Sequence, residues 1–286
     1  MSRLALISLR LLARLPLPVA HLLGALTGML SLLHPKQREV ISTNLRQAGL
    51  YSPAMLLRVG REFGKSILEL IPIWLRPLEQ VTGWVREVHG WEHVETALAR
   101  GRGMILLGPH LGCLELAGLT IASRLPVTAL YRRPRQDWVH EIMQAGRNRG
   151  HARMVEPNLK GVRALFNALK RNEAAWILPD QKANKGEGLW LRFFGRWAYM
   201  PTLPNRLLAS SGATPLMFHC ERLPWGRGFR LFITPLPALP ADAEAAGQAI
   251  NAAMETLIRS LPAQYLWSYN VHRRLVGEVT PDGETF

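Results

Sequence analysis

The 286-residue chain reads as α/β: a single domain with a mixed central sheet flanked by helices, preceded by an N-terminal apolar helical membrane anchor. Three observations predict this. Short apolar runs of strand length alternate with helical periodicity through the middle of the chain. Two β-rich runs, 213–221 and 228–235, flank a Pro-Trp-Gly-Arg-Gly turn and predict a hairpin. Residues 4–33 are almost wholly apolar, and the overall apolar content of 48% suffices for a full core without metal or disulfide.

In chain order, the apolar segment comes first, interrupted by Arg10, Arg14, Pro16, Pro18 and His21. On a helix, Arg3, Arg10, Arg14 and His21 fall within about 40° of one another, a basic stripe of the kind interfacial anchors carry. Residues 17–33 form a 17-residue apolar stretch, the short limit for crossing a bilayer. No small-residue cleavage site follows, so a removable signal peptide is not expected. Residues 1–33 are therefore expected to attach to a membrane, lying on it or crossing it, and residues 34–286 to form the folded domain. A buried hairpin of two core helices is the competing reading.

Residues 53–74 carry helical spacing through Met55, Val59, Phe63, Ile67 and Leu70. Strands are expected over 104–108, 127–131 and 175–178, the last ending at Pro179-Asp180. Helices are expected over 114–124, 138–149, 162–171 and 243–260. No repeat, low-complexity tract or linker divides this run.

The net charge of +14 is concentrated: residues 1–119 carry +5, residues 120–235 carry +12, and residues 236–286 carry −3. Such an excess favours polyanionic partners, with a solvated basic surface as the bland alternative. Cys113 and Cys220 match no metal-ligand spacing, and free thiols are the simpler reading against one disulfide.

Chemistry concentrates in Gly108-Pro-His-Leu-Gly-Cys-Leu-Glu115. A strand delivers His110 at its carboxyl end, where open α/β sheets place their ligands. On one continuous helix, a five-residue step would set His110 and Glu115 about 140° apart. With His110 in the loop before the helix, Glu115 in the first turn reaches back, fixes the tautomer and stabilises the imidazolium. The other ring nitrogen is then left to take a proton from a hydroxyl. An ordinary helix-entry histidine is the alternative. Asp180, one of four aspartates, follows an apolar strand and a proline beside Gln181. It suits substrate binding, organisation of arginines, or simple turn capping. Cys113 is read as a small buried residue, because nothing in the sequence marks a lowered thiol pKa.

The stretch from Pro109 to Glu115 resembles the motif of glycerolipid acyltransferases, a histidine, four residues and an acid. Further blocks resemble one branch, the late acyltransferases of lipid A biosynthesis (the lauroyl/myristoyl transferase family). They are Asn44-Leu-Arg46, Tyr131-Arg-Arg-Pro134, Leu178-Pro-Asp-Gln181, Phe193-Phe-Gly195 and Pro262-Ala-Gln-Tyr-Leu-Trp-Ser-Tyr269. The likeness covers nearly the whole chain in order. It departs where Asn44-Leu-Arg46 lacks a following Phe-Pro element, and the chain is slightly short for the family.

The resemblance implies a donor carried as an acyl thioester on acyl carrier protein and a phosphorylated glycolipid acceptor. It also implies a bacterial inner membrane location on the cytoplasmic face, no cofactor, no metal and no nucleic acid. His110 and Glu115 would be catalytic; Arg132, Asp180 and Gln181 would bind substrate. Arg132 would hold a lipid phosphate or the oxyanion of the tetrahedral intermediate. Arg147 and Arg149 are expected on the surface, where they would steer the acidic carrier. Phe193 and Phe194 are expected as acyl-pocket wall or core, and residues 264–269 as packing at the domain's end. The alternatives left open are an acyltransferase for another membrane lipid, a thioesterase, and a non-catalytic polyanion-binding membrane protein. No G-x-S-x-G, P-loop, G-x-G-x-x-G or H-E-x-x-H motif is present.

Overall fold

The computed structural model describes residues 9, 11–273 and 279–283. Beyond a helical stretch at 11–14 come helices α1 (Leu17–Ser31), α2 (Pro35–Gln47), α3 (Pro53–Leu68), α4 (Leu70–Leu75) and α5 (Leu78–Thr82). It then alternates through β1 (Val85–His89), α6 (Trp91–Ala99), β2 (Met104–Leu107), α7 (Leu114–Ala122), β3 (Val127–Leu130), α8 (Asp137–Arg147), β4 (Ala152–Val155), α9 (Leu159–Lys170) and β5 (Ala174–Ile177). A hairpin of β6 (Gly188–Phe193) and β7 (Arg196–Pro201) leads to α10 (Leu203–Ser211), β8 (Thr214–Arg222), β9 (Phe229–Pro235) and α11 (Ala243–Ser260).

Seven strands form one sheet in the order β1-β9-β8-β2-β5-β3-β4. Every neighbouring pair is parallel except the β8–β9 hairpin, so the sheet is mixed, as expected. All residues of β2 and β5 are buried, which is why these strands read as unbroken apolar runs. Alternate residues serve opposite layers. Met104, Leu106, Ala174 and Trp176 pack in the layer that holds α7. Ile105, Leu107, Ala175 and Ile177 pack in the layer that holds α9 and α11.

The N-terminal segment is built into this fold along one face. Gly24 and Gly28 of α1 meet Gly60 and Gly64 of α3 so closely that side chains are excluded. A Cβ on Gly28 would lie 2.0 Å from the Gly60 carbonyl oxygen, and one on Gly64 1.9 Å from that of Gly24. Two small residues four apart on each helix allow this approach, the pairing used between helices in membranes. The opposite face of α1 exposes Leu22, Leu23, Leu26 and Leu30, and Leu33 follows it. At 15 residues α1 is about 22 Å long, short of the ~30 Å hydrocarbon core of a bilayer. Among the described residues no single helix is long and apolar enough to cross a membrane. The α1–α2 pair passes that test together, but is bent by 96°.

Of the residues expected in the basic stripe, His21 is not at the surface. His21 is buried, and its Nε2 lies 3.0 Å from Glu69 Oε2. Arg14 is exposed, while Arg3 and Arg10 lie outside the described residues. Glu69 also accepts two hydrogen bonds from Arg222 of β8, which reaches Glu62 at 3.0 Å as well. The helix expected over 53–74 divides between Leu68 and Leu70. Pro72 has no N–H for the Leu68 carbonyl, and its ring crowds that turn. Strands β1 and β4 escaped the pattern because they lie at the sheet's two edges, where side chains are partly exposed. The β6–β7 hairpin turns on Phe194 and Gly195, both at positive φ, so a family block serves a tight turn there.

Burial alone would raise the Glu69 pKa, but Arg222's charge and hydrogen bonds, with help from His21, bring it down to about 2. A depressed carboxylate stabilises the fold above its ordinary value. That contribution is lost as pH falls through about 2. Arg222→Met alone strands buried carboxylates and is expected to cost about 3–5 kcal/mol in denaturant titrations. Arg222→Met with Glu69→Leu should recover part of that loss; a double variant no more stable than the single one refutes the coupling.

Candidate active site

Strand β2 ends at Leu107 and β5 at Ile177, which are register partners in adjacent parallel strands. His110 and Asp180 each follow three residues later, so the two strands release them side by side at the same sheet edge. Asp180 is 2% exposed. Its Oδ1 lies 2.7 Å from His110 Nδ1, and its Oδ2 accepts the His110 backbone N–H at 2.7 Å. A carboxylate so placed keeps the proton on Nδ1 and leaves Nε2 as the acceptor. Gln181 Nε2 lies 3.2 Å from that nitrogen.

The loop carrying His110 is fixed from behind. Gly112, at φ +69°, passes so near β8 that a Cβ would lie 1.9 Å from the Cys220 carbonyl oxygen. Its N–H donates to the Gln264 carbonyl at 3.0 Å, and the Leu266 N–H donates to the His110 carbonyl at 3.0 Å. Residues 264–269, expected as terminal packing, therefore support the histidine loop. Tyr269 Oη further accepts the Lys182 N–H at 3.1 Å. Burial pushes the Tyr265 hydroxyl pKa up, and the neighbouring Asp180 carboxylate, its hydrogen-bond partner, pushes it further.

Glu115 stands in the first turn of α7, as expected, but the hydrogen bonds of its carboxylate go to partners other than the imidazole. Trp74 Nε1 donates to its Oε2 at 2.9 Å, and Arg147 grips both oxygens through Nε and Nη2. The partner of His110 is thus Asp180 rather than Glu115. Two strands in register present Asp180 directly, whereas Glu115 is held by α8 and α4. Burial lowers the His110 pKa, but the charge and hydrogen bond of Asp180 outweigh it, and the net shift is upward. Arg147 and Glu115 act on the imidazole in opposite senses, lowering and raising it.

His110, Glu115, Arg132 and Gln181 line one cavity of about 1260 Å³, with Asp180 behind the histidine. The cavity wraps the carboxyl edge of β3 and β5 and enters both layers. On the α7 side Gly118, Leu119, Val127, Ala129, Met154 and Trp176 form an apolar lobe, and the Glu115–Arg147 pair also lines the wall. On the other side it runs between α9 and α10.

Arg132 is exposed and has no hydrogen bond or ion pair among the described residues. Arg147 and Arg149 are not the free surface arginines expected. Arg147 is bound to Glu115, and Arg149 donates to the carbonyls of Ile73, Arg76 and Gly146. Phe193 and Phe194 lie in the core, away from the cavity lining. Cys113 and Cys220 are free and buried, and burial, the largest cause, pushes both thiols up, Cys113 well above its ordinary value.

Sequence reasoning missed Trp74 and Arg147 as holders of Glu115, and Gln264 and Leu266 as supports of the loop. Equal offsets of His110 and Asp180 from two buried strands were the available signal for their pairing.

Residues 2–275 match the family model described as bacterial lipid A biosynthesis acyltransferase. The chain is 30% identical to the lipid A biosynthesis palmitoleoyltransferase of Escherichia coli (strain K12) over 280 residues, 95% of this chain and 89% of the relative. It is 29% identical to the lipid A biosynthesis lauroyltransferase of the same organism, over 96% of this chain and 90% of the relative. It is also 29% identical to the phosphatidylinositol mannoside acyltransferase of Mycobacterium tuberculosis (strain ATCC 25618 / H37Rv), over 63% and 58% of the two chains. A match across all the elements that build the His110 cavity assigns this chain to the bacterial lipid A biosynthesis acyltransferases, as an acyl-transferring enzyme.

Proposed function

We propose that this enzyme transfers a fatty acyl group from an acyl carrier protein thioester to a hydroxyl of a lipid A precursor or related glycolipid, with His110 as general base. The observation that carries this reading is the Asp180-held imidazole, whose Nε2 faces a cavity with an apolar lobe. In the proposed reaction, Nε2 takes the proton of the acceptor hydroxyl as its oxygen attacks the thioester carbonyl. The tetrahedral intermediate then expels the thiolate, which recovers that proton from the imidazolium. Asp180 stabilises the imidazolium, and Arg132 offsets charge on the oxyanion. Glu115, neutralised by Arg147, acts as a positioning residue that sets the wall and local field beside His110. The apolar lobe suits the acyl chain, as the acyl groups in the relatives' names suggest.

A non-catalytic polyanion-binding protein has no use for a carboxylate that fixes an imidazole tautomer at a cavity. The phosphatidylinositol mannoside relatives keep a second acceptor class in view for the same chemistry. The enzyme is proposed to work at the cytoplasmic face of the bacterial inner membrane, held there by the leucines of residues 22–33. Their exposure beside the glycine-packed face supports this.

His110→Ala is expected to lower kcat by about 10²–10⁴-fold, the usual share of general-base catalysis. Asp180→Asn should lower it by a comparable amount, since the tautomer and imidazolium both lose support. Glu115→Gln should cost less. His110 must be neutral to act, and its pKa is raised, so kcat/KM should fall with decreasing pH through a point above the ordinary ~6.5. In Asp180→Asn that inflection should move to lower pH. The raised pKa also means that the charged pair stabilises the fold below the ordinary histidine value and loses this contribution as pH rises through the folded value. Full turnover in His110→Ala would refute the mechanism.

The membrane reading is checked by flotation with anionic vesicles. Leu22, Leu26, Leu30 and Leu33 are 46–75% exposed, so replacing them with serine removes apolar surface and leaves the glycine-packed face in place. Vesicle partitioning should drop at least tenfold, on the order expected from about 0.8 kcal/mol per CH₂ withdrawn from the bilayer. Unchanged partitioning of a folded variant would assign attachment to other surfaces.

A further inference from the structure

The turn between β8 and β9 holds a tryptophan out in water. Trp225 is 85% exposed, more than any other large hydrophobic side chain among the described residues. Its backbone is left-handed, at φ 60° and ψ 23°, a conformation that strains a bulky residue and that glycine adopts freely. An indole offers about 150–250 Å² of surface for burial, none of which the fold uses to advantage here. The turn itself is braced. The Leu223 N–H donates to the Gly228 carbonyl at 2.9 Å, and the Arg227 N–H to the Pro224 carbonyl at 3.3 Å. Arg86 Nε donates to the Arg227 carbonyl at 3.1 Å. Folding stability alone gives no reason for tryptophan at this position.

Its place in the fold gives one. Gly226, at φ +67°, meets the start of α1 so closely that a Cβ would lie 2.5 Å from Pro18 Cα. Pro18 stands one turn before Leu22 on the same side of α1. The tip of the turn is therefore set at the N-terminal end of the helix whose exposed leucines begin at Leu22. Arg86 and Arg227 accompany the indole, and both are exposed. Their guanidinium groups donate to the carbonyls of Gly83, Pro224 and Arg227 and form no ion pair among the described residues. Glu87, the acid next to Arg86, lies 2.8 Å from His89 Nε2 instead. An amphipathic ring beside uncompensated arginines is the composition found where proteins meet lipid headgroups.

Resting on the membrane reading above, we infer that the β8–β9 turn is a second membrane contact. Trp225 enters the headgroup region of an anionic bilayer, and Arg86 and Arg227 bind lipid phosphates. The leucine row supplies the first contact and the turn at its N-terminal end the second. Helix α1 then lies along the surface instead of crossing it, because its other face is closed against α3 by the four glycines.

The test uses purified full-length protein and phosphatidylcholine vesicles with or without phosphatidylglycerol. Trp225→Gly removes the ring and relaxes the turn, so its thermal midpoint should match or exceed that of wild type. Its partitioning should nevertheless drop at least about fivefold on both vesicle types, the worth of returning about 40 Å² of apolar ring to water. Trp225→Tyr should recover part of that loss. Arg86→Gln with Arg227→Gln should lower partitioning about fivefold per arginine on anionic vesicles and leave neutral ones unaffected. Cys113 and Cys220 are buried, so a nitroxide can be placed selectively on Trp225→Cys. Adding anionic vesicles should shield that label from a water-soluble nickel chelate and open it to oxygen. A label still open to the chelate on bound protein, or unchanged partitioning of the glycine or the glutamine variant, overturns the inference. A label shielded without vesicles and broadened by a neighbouring spin assigns the turn to contact between copies of this chain, and overturns it too. Wild type that binds no vesicles removes the membrane reading itself, whereas binding that depends on the leucines alone removes only this inference.

Discussion

A buried charge on the antiparallel hairpin governs how the rest of this molecule is assembled. Arg222 is 3% exposed, and an isolated guanidinium there would be prohibitively costly. Glu69 and Glu62 must therefore come to it, which brings the α3–α4 junction against β8. Glu69 in turn holds His21, so α1 is fastened to the same point. The Arg222 backbone is clasped on both sides by the Gln264 side chain, at 2.8 and 2.9 Å. The Gln264 carbonyl receives the Gly112 N–H, two residues beyond His110. A single chain of hydrogen bonds thus joins the helix with the exposed leucines to the loop that carries the proposed base.

The second constraint is parallel pairing. Adjacent parallel strands in register release their following residues at one edge, which is why ligands collect there in open α/β sheets. Here β2 and β5 are neighbours even though β3 and β4 intervene in sequence. Residues 70 apart consequently share two hydrogen bonds, through Oδ1 and Oδ2 of one carboxylate. One oxygen sets the ring and the other sets the backbone beneath it, so imidazole and loop are oriented together.

What was legible in the sequence follows from range. His110 at a strand's end, the hairpin at 213–235 and the helix at 243–260 depend on local periodicity, and the structure has them within a few residues. Asp180 was picked out by local context but given another role, because its pairing depends on strand order, which no local pattern reveals. Glu115 was read by adjacency to His110, yet α4 and α8 supply Trp74 and Arg147 from 41 and 32 residues away. The apolar N-terminus reads as a greasy helix marked only by a basic stripe. Glycines at 24 and 28 divide it into a packed face and an exposed one, a distinction visible only once α3 presents its own pair.

The same distinction applies to charge. The +12 excess over residues 120–235 counts every arginine alike, but the fold gives them different work. Arg147, Arg149 and Arg222 are committed to a carboxylate, to helix-end carbonyls and to a buried acid pair. Their field is largely spent inside the molecule, and removing one would unsettle structure before it altered attraction to a partner. Arg132, Arg163 and Arg206 face the cavity without such commitments. A group that folding leaves unneutralised at a cavity wall retains its full capacity to bind an anion. Part of the basic excess thus reaches the cavity wall through these arginines, whereas the paired ones belong to the scaffold around the cavity.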